Sequence, residues 1–243
     1  MMEFTSHERN GHRDNRPAVD PRLMALRKCE LFNTVPPSAL EEIARQCRQK
    51  AFETRSSIYL QGDSGSQLYV VASGRVRLLR VCRDERELTI AYHGPGALIG
   101  DELLVDGAFR LQARAAERVS LIALPLQVLQ AAMNEFPALG AALLRAALVR
   151  EQACQHRMEA LLSRPVESRV ANFLVDAVEQ HGVPEARGHL VAVKYTHLEI
   201  ACYVGSTRET VTLVLGDLKR RGIIEIDHRR VVVCDADQLR ALA

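Results

Sequence analysis

Apolar positions along the chain change their period three times, and each change marks a boundary. Between residues 23 and 49, Leu40, Ile43, Ala44 and Cys47 fall at i, i+3, i+4 and i+7, one face of a short helix that Pro36-Pro37 starts. Glu41-Glu42 are expected in its first turn, where carboxylates suit the positive end of the helix dipole. From about residue 50 to 124 the period shortens to that of strands. Ile58-Tyr59-Leu60, Leu68-Tyr69-Val70-Val71, Val76-Arg77-Leu78-Leu79-Arg80-Val81, Leu88-Thr89-Ile90-Ala91-Tyr92 and Val119-Ser120-Leu121-Ile122 are the apolar runs. Gly62-Asp63, Ser73-Gly74, Asp84-Glu85, Gly94-Pro95-Gly96 and Asp106-Gly107 separate them. Short strands with turn residues at that interval predict an antiparallel sandwich, barrel or jelly roll.

From 126 to 163 glycine and proline almost vanish, which predicts one long helix between 138 and 162, about six to seven turns. Leu143, Ala147, Arg150, Cys154, Arg157 and Leu161 repeat at 4-3-4-3-4 spacing, the coiled-coil interval. Leu139, Ala142, Ala146, Val149 and Ala153 line another face. A helix that packs on its own domain and also on a second subunit has this pattern, so a homodimer is expected; the alternative is a helix wholly buried in its own domain. Pro165 ends the helix. Val170, Phe173, Leu174 and Ala177 then open a second domain, and His181-Gly182-Val183-Pro184 close its first helix. The expected organisation is α+β: a flexible tail (1–22), a strand-rich domain (23–137), the long helix (138–163) and a C-terminal domain (164–243).

The densest signal lies at 196–222. Thr196 is a favoured N-cap residue, and Glu199 three positions on completes a capping box. Leu198, Ile200, Ala201 and Val204 make a short helix that Gly205 ends as a C′ glycine. Ser206 or Thr207 caps a second helix over 208–221, and small Ala201 lets the two cross closely, which describes a helix-turn-helix. At about 100° per residue, Val211, Val214, Leu215 and Leu218 share the core side. Glu209, Thr212, Leu213 and Gly216 share the opposite side, with Arg208 at its edge. A bidentate donor, an acceptor, hydroxyls and a methyl-bearing group are what reads base edges in a major groove. Lys219-Arg220-Arg221 either touch phosphates or complement the helix's C-terminal dipole. Ile223-Ile224-Glu225-Ile226 and Val231-Val232-Val233 flank Asp227-His228-Arg229-Arg230, a hairpin with a basic tip: the wing of a winged helix, or a plain hairpin with solvated arginines.

Composition excludes more than it identifies. The chain has 243 residues, 47% hydrophobic, with a net charge of +2, enough apolar surface for a folded core. Residues 205–230 carry six basic and four acidic side chains, so the case for DNA rests on arrangement, and a winged helix that binds a protein remains the alternative. No run approaches ~18 apolar residues, which excludes a membrane span. Residues 3–16 offer no apolar signal segment, so a cytoplasmic address is expected. The cysteines at 29, 47, 82, 154, 202 and 234 form no Cys-x-x-Cys pair and no zinc spacing. Reduced, mostly buried thiols are expected, with no metal or iron–sulfur cluster. Gly-x-Ser-x-Gly, a P-loop and His-Glu-x-x-His are absent, and no nucleophile is paired with a base, so an enzyme is not expected.

The run Gly205-Ser206-Thr207-Arg208-Glu209-Thr210-Val211-Thr212 resembles the recognition element of the CRP/FNR family of bacterial transcription regulators, and the likeness extends over residues 23–243. Gly62-Asp63 followed by Leu68-Tyr69-Val70-Val71-Ala72-Ser73-Gly74-Arg75-Val76 is similar to that family's strand–turn pattern. Ser168-Arg169, Gly205-Ser206-Thr207-Arg208 and Leu215-Gly216-Asp217-Leu218 are most like its nitrogen-regulator branch. The resemblance implies an antiparallel β-roll (jelly roll) effector domain, a dimerisation helix and a C-terminal winged helix-turn-helix. It further implies a homodimer on near-palindromic double-stranded DNA, in contact with RNA polymerase. Arg208 and Glu209 would read base edges and Thr196, Ser206, Thr207 and Thr210 would contact phosphates, with Thr212 and Leu213 completing the DNA-facing set. One departure stands out. The family usually places a second reading arginine four or five residues after the first, where this chain has Leu213. Leucine cannot donate to guanine but packs on a thymine methyl, so the expected half-site is shifted towards T at that step.

The resemblance also implies an effector pocket built on a glycine-rich turn and an arginine. Gly100, Asp101, Glu102 and Leu103, then Arg110, are the matching residues, and backbone amides beside an arginine suit a phosphate or carboxylate. The family's cyclic-nucleotide binders follow that arginine with a small hydroxyl residue and an alanine; Leu111 and Gln112 here weigh against a cyclic nucleotide. Arg110 with Arg150 of the long helix resembles the clamp by which the nitrogen-regulator branch holds 2-oxoglutarate, which makes a 2-oxoglutarate-like dicarboxylate the other candidate. Asp101, Glu102 and Gln155 depart from that branch. A third reading pairs Arg110 and Arg150 with Asp101 and Glu102 and needs no ligand. Residues 98–111 hold no Cys or His for a haem, and His93, the nearest, is expected to be a solvated turn residue. An effector is expected to act through the long helix, biasing two orientations of the C-terminal domain about Ser163-Arg164-Pro165, with the two seam arginines lowering the barrier.

Overall fold

The computed structural model describes residues 20–83 and 85–243. Residues 1–19 of the expected tail, and Asp84 of the Asp84-Glu85 turn, lie outside the described residues. The first helix, α1 (Pro21–Lys28), is capped by the Asp20 carboxylate, which accepts from the Arg22 amide at 2.9 Å, and Pro21 fills the first position, where no N–H is required. Residues 21 and 22 therefore belong to a helix rather than to the tail. A 3₁₀ turn (Glu30–Thr34) leads into α2 (Pro37–Gln46). The helix begins at Pro37, so Glu41 and Glu42 fall in its second turn, not its first.

The strand-rich part holds β1 (Arg48–Phe52), β2 (Ser57–Tyr59), β3 (Gln67–Ser73), β4 (Val76–Val81), β5 (Glu87–His93) and β6 (Leu98–Ile99), then the one-turn α3 (Leu103–Asp106), β7 (Gln112–Ala115) and β8 (Val119–Pro125). They form two four-stranded antiparallel sheets, ordered β1-β8-β3-β6 and β2-β7-β4-β5. All five expected strands are present. The three unforeseen ones carry weak signals: β1 is largely polar and exposed, β6 has two residues, and β7 is Gln-Ala-Arg-Ala, held by its pairing with β2 and β4 rather than by propensity. Val71, Val76, Leu78, Ile99 and Leu121 fill the space between the sheets. Leu68, Val70, Ile122 and Leu124 point the other way, into a core shared with Leu26, Phe32, Leu40, Ile43 and Leu139.

Helix α4 (Leu126–Glu135) is followed by α5 (Pro137–Ser163), the expected long helix. Extended Arg164 and Pro165 separate it from α6 (Val166–His181). Then come β9 (Gly182–Glu185), β10 (Gly188–Val191), α7 (His197–Val204), α8 (Arg208–Arg220), β11 (Ile224–Asp227), β12 (Arg230–Val233) and α9 (Ala236–Leu242). The hairpin 224–233 is one edge of a four-stranded sheet, β11-β12-β10-β9. Residues 182–184 thus do more than close α6; they start a strand. The third core is Val170, Phe173, Leu174, Ile200, Val204, Val211, Leu215, Leu218, Ile224 and Val233.

The 4-3-4-3-4 seam of α5 turns inward except at Cys154, which is exposed. Leu143 packs on the roll's core, Arg150 reaches Asp101, and Arg157 reaches the backbone of β5 and α7. The outward apolar residues are instead Leu144, Leu148, Val149, Met158 and Leu162, the last 83% exposed. Of the six cysteines only Cys29 and Cys47 are buried. Cys82 sits just beyond β4 and Cys154 on the outward side of α5, so the expectation of mostly buried thiols fails on topology.

Candidate nucleic-acid interface and effector turn

The helix-turn-helix forms because local chemistry satisfies its ends. The Thr196 hydroxyl accepts from the Glu199 amide at 3.1 Å while the Glu199 carboxylate accepts from the Thr196 amide at 2.7 Å, the expected capping box. Gly205 ends α7 at φ +63°, and a Cβ there would meet Leu161 Cδ2 at 2.8 Å. The left-handed conformation favours glycine here, and the Leu161 side chain of α5 packs where a Cβ would sit. Thr207 caps α8, its hydroxyl accepting from the Thr210 amide at 3.1 Å. Val211, Leu215 and Leu218 are buried and Val214 half-buried, as the wheel predicted.

The opposite side of α8 is open. Thr196, Thr207, Arg208, Glu209, Thr212 and Leu213 are exposed, Leu213 by 74%, while Ser206 and Thr210 are half-buried. No hydrogen bond or ion pair engages the side chains of Arg208 or Glu209 among the described residues. Thr212 is partly committed: its hydroxyl donates to the Arg208 carbonyl at 2.8 Å and shares a 2.8 Å hydrogen bond with His197 Nδ1. His197 thus stands beside the outward face of α8, unremarked in the sequence because only the crossing of α7 and α8 brings it there. In the wing, His228 (φ +46°) and Arg229 (φ +65°) form the two-residue turn between β11 and β12. Asp227 beside them is held by Arg187 at 2.8 Å. That contact, with the His228 ring, keeps the Asp227 carboxyl below the usual range.

At the effector turn Gly100 follows β6 at φ +83°, and a Cβ would touch Phe109 Cε1 at 3.0 Å. The Phe109 ring stacks on Tyr59 at 3.7 Å between centroids. Leu103 is core. Arg150 pairs with Asp101, and exposed Arg110 pairs with Asp106. The two guanidiniums rest on different carboxylates, Asp106 of α3 for Arg110 and Asp101 for Arg150 of α5. Glu102 joins neither pair; among the described residues its Oε1 is buried without a hydrogen-bond partner, as is Tyr59 Oη. Burial raises the Glu102 carboxyl above its ordinary range. His93 is no solvated turn residue. It ends β5 half-buried, and burial, then nearby Arg150, pushes it down to about 4.

Arg157 ties three elements together. It donates to the Ile90 carbonyl at 2.6 Å and to the carbonyls of Thr89 and Tyr203, and it stacks over the Tyr203 ring at 4.1 Å. The seam arginines therefore pin α5 to the roll and to α7, where the sequence had them loosening it.

Residues 168–242 match the profile described as a Crp-like helix-turn-helix domain, and residues 49–136 that described as a cyclic nucleotide-binding domain. The Global nitrogen regulator of Nostoc sp. is 32% identical over 187 residues, 76% of this chain and 84% of that protein. The chain belongs to the CRP/FNR family of transcription regulators. The CRP-like cAMP-activated global transcriptional regulator of Mycobacterium tuberculosis is 27% identical over 215 residues, 88% of this chain and 96% of its own length. A solved CRP-family regulator from Thermus thermophilus superposes with a TM-score of 0.68 at 30% identity, covering 80% of this chain and 96% of that one. Membership makes the chain a DNA-binding transcription regulator with a cyclic nucleotide-binding-type domain, and the family is not enzymatic. No described helix is long and apolar enough to cross a membrane.

Proposed function

We propose that this regulator reads DNA as a homodimer, in the cytoplasm, through the outward face of α8. The observation that carries the reading is the uncommitted Arg208–Glu209–Leu213 surface on a helix whose other side is core. Arg208 and Glu209 read base edges, the threonine caps and Ser206 contact phosphates, and Leu213 packs on a thymine methyl. Leu144, Leu148, Met158 and Leu162 form an exposed apolar stripe that a second copy of α5 covers. Such pairing sets two α8 helices roughly 34 Å apart on a near-palindromic site, with RNA polymerase contacted from the bound dimer. Fluorescence anisotropy of the full chain tests this: tight retention on a selected duplex, with an affinity that falls steeply with salt, supports it. Equal affinity for scrambled duplex contradicts it.

The effector reading follows the orphaned groups. A dicarboxylate would have to displace Asp101 from Arg150 and lie against Glu102. A ligand bringing hydroxyl donors, as a cyclic nucleotide does, instead satisfies Glu102 Oε1 and Tyr59 Oη. Calorimetric titration with cAMP and with 2-oxoglutarate decides between them; heat from 2-oxoglutarate alone overturns this preference.

A further inference from the structure

A crevice of about 640 Å³ opens between the roll and the winged domain, lined by no residue of α8 or of the Gly100 turn. Its roll wall is Arg75, in the β3–β4 turn, with Ala116 and Glu117. Its other wall includes His181, Lys194 and Arg230. Arg75 is only 7% exposed, lying over the rings of Tyr92 and Tyr195 at 4.9 and 4.8 Å, and pairs with no carboxylate among the described residues. Its Nε and Nη1 are buried without hydrogen-bond partners, and so is Arg230 Nε in the opposite wall. A buried guanidinium without a counter-charge is costly, and buried donors left unmatched are rare enough to need an explanation. Three cations face one carboxylate, Glu117, across the crevice. His181 adds no charge, since burial and then nearby Arg75 hold it below its ordinary range. The cavity volume lies within the usual range for small-molecule sites.

We propose that this crevice binds a compact multivalent oxyanion, a phosphate ester or a polycarboxylate, whose oxygens accept from Arg75, Arg230 and Lys194. Val183, Ala192 and Val193 give its carbon part an apolar wall. Because the walls belong to different domains, occupancy favours the domain orientation seen here over any other.

Calorimetric titration of the full chain with pyrophosphate, AMP and citrate, at matched ionic strength, tests the assignment. At least one probe binds, and Lys194→Ala and Arg230→Gln, both at the crevice surface, each weaken it about tenfold. Arg75→Met removes binding; the two milder variants carry the test if that chain folds poorly. Glu102→Gln, at the roll's own turn, leaves crevice binding unchanged. Preference for AMP over citrate assigns a phosphate ester, and the reverse a polycarboxylate. The proposal is overturned if no probe binds more tightly than about 1 mM, if the crevice variants bind as the parent does, or if Glu102→Gln alone abolishes the heat.

Discussion

Two arginine-bearing surfaces of this regulator are built in opposite ways. On α8 the side chains of Arg208 and Glu209 make no hydrogen bond or ion pair among the described residues, and their backbone is fixed by a threonine cap on one side and a leucine–valine core on the other. At the Gly100 turn each guanidinium already rests on a carboxylate, Arg150 on Asp101 and Arg110 on Asp106. The first surface is preorganised and unmatched, so its donors are available to a partner without displacing anything. The second must exchange an internal ion pair before an anion can enter. The contrast explains why a DNA-facing role can be argued from side chains alone, whereas at the effector turn the informative atoms are the two that found no partner, Glu102 Oε1 and Tyr59 Oη.

The largest expected effect removes the support beneath the first surface. Leu215→Ala empties a fully buried position between α8 and its domain and should cost about 2–5 kcal/mol, read as a lower urea midpoint for the winged domain. If stability barely changes, α8 is not held as described. Next, Arg208→Ala deletes an exposed side chain and should leave the unfolding free energy unchanged within about 0.5 kcal/mol. Its affinity for the selected duplex should drop by about 1–3 kcal/mol, with relaxed preference at one base pair. Loss of stability instead would mean that Arg208 is structural.

A pH-dependent effect, spread over more than two pH units, probes the second surface. His93 is held neutral by burial, with a folded-state value of about 4 against 6.5 for a free imidazole. Since the unfolded chain then binds the extra proton more readily, this group's contribution is complete above pH 6.5 and is lost as pH falls towards 4, by at most about 1.4 kcal/mol per pH unit. His93→Gln should flatten that part of the stability–pH profile. An unchanged profile would show that His93 is solvated after all.

Where local signals suffice, the sequence carried the structure. The capping box at Thr196, the αL glycine at 205 and the core stripe on α8 each depend on residues no more than four positions from the next. Strands β3, β4, β5 and β8 were legible because apolar residues crowd into each short run. Strand β7 was not, since Gln112-Ala113-Arg114-Ala115 is a strand only through partners far away in the chain. The seam on α5 shows a subtler failure: 4-3-4-3-4 spacing identifies a side of the helix but not what covers it, and Arg150 and Arg157 turned out to bind the same chain. The partners of Arg110 and Arg150, the place of His197 beside Thr212 and the crevice at Arg75 all depend on tertiary distances that spacing does not encode.

Leu213 is the position at which contact between the outward side of α8 and nucleobases can be read out base by base. Duplexes selected from a random pool by the full chain and by Leu213→Arg should share one two-fold symmetric motif that differs at a single step in each half-site, T-rich for the parent and guanine for the variant. Identical motifs from the two proteins, or no enriched motif from either, would contradict that contact.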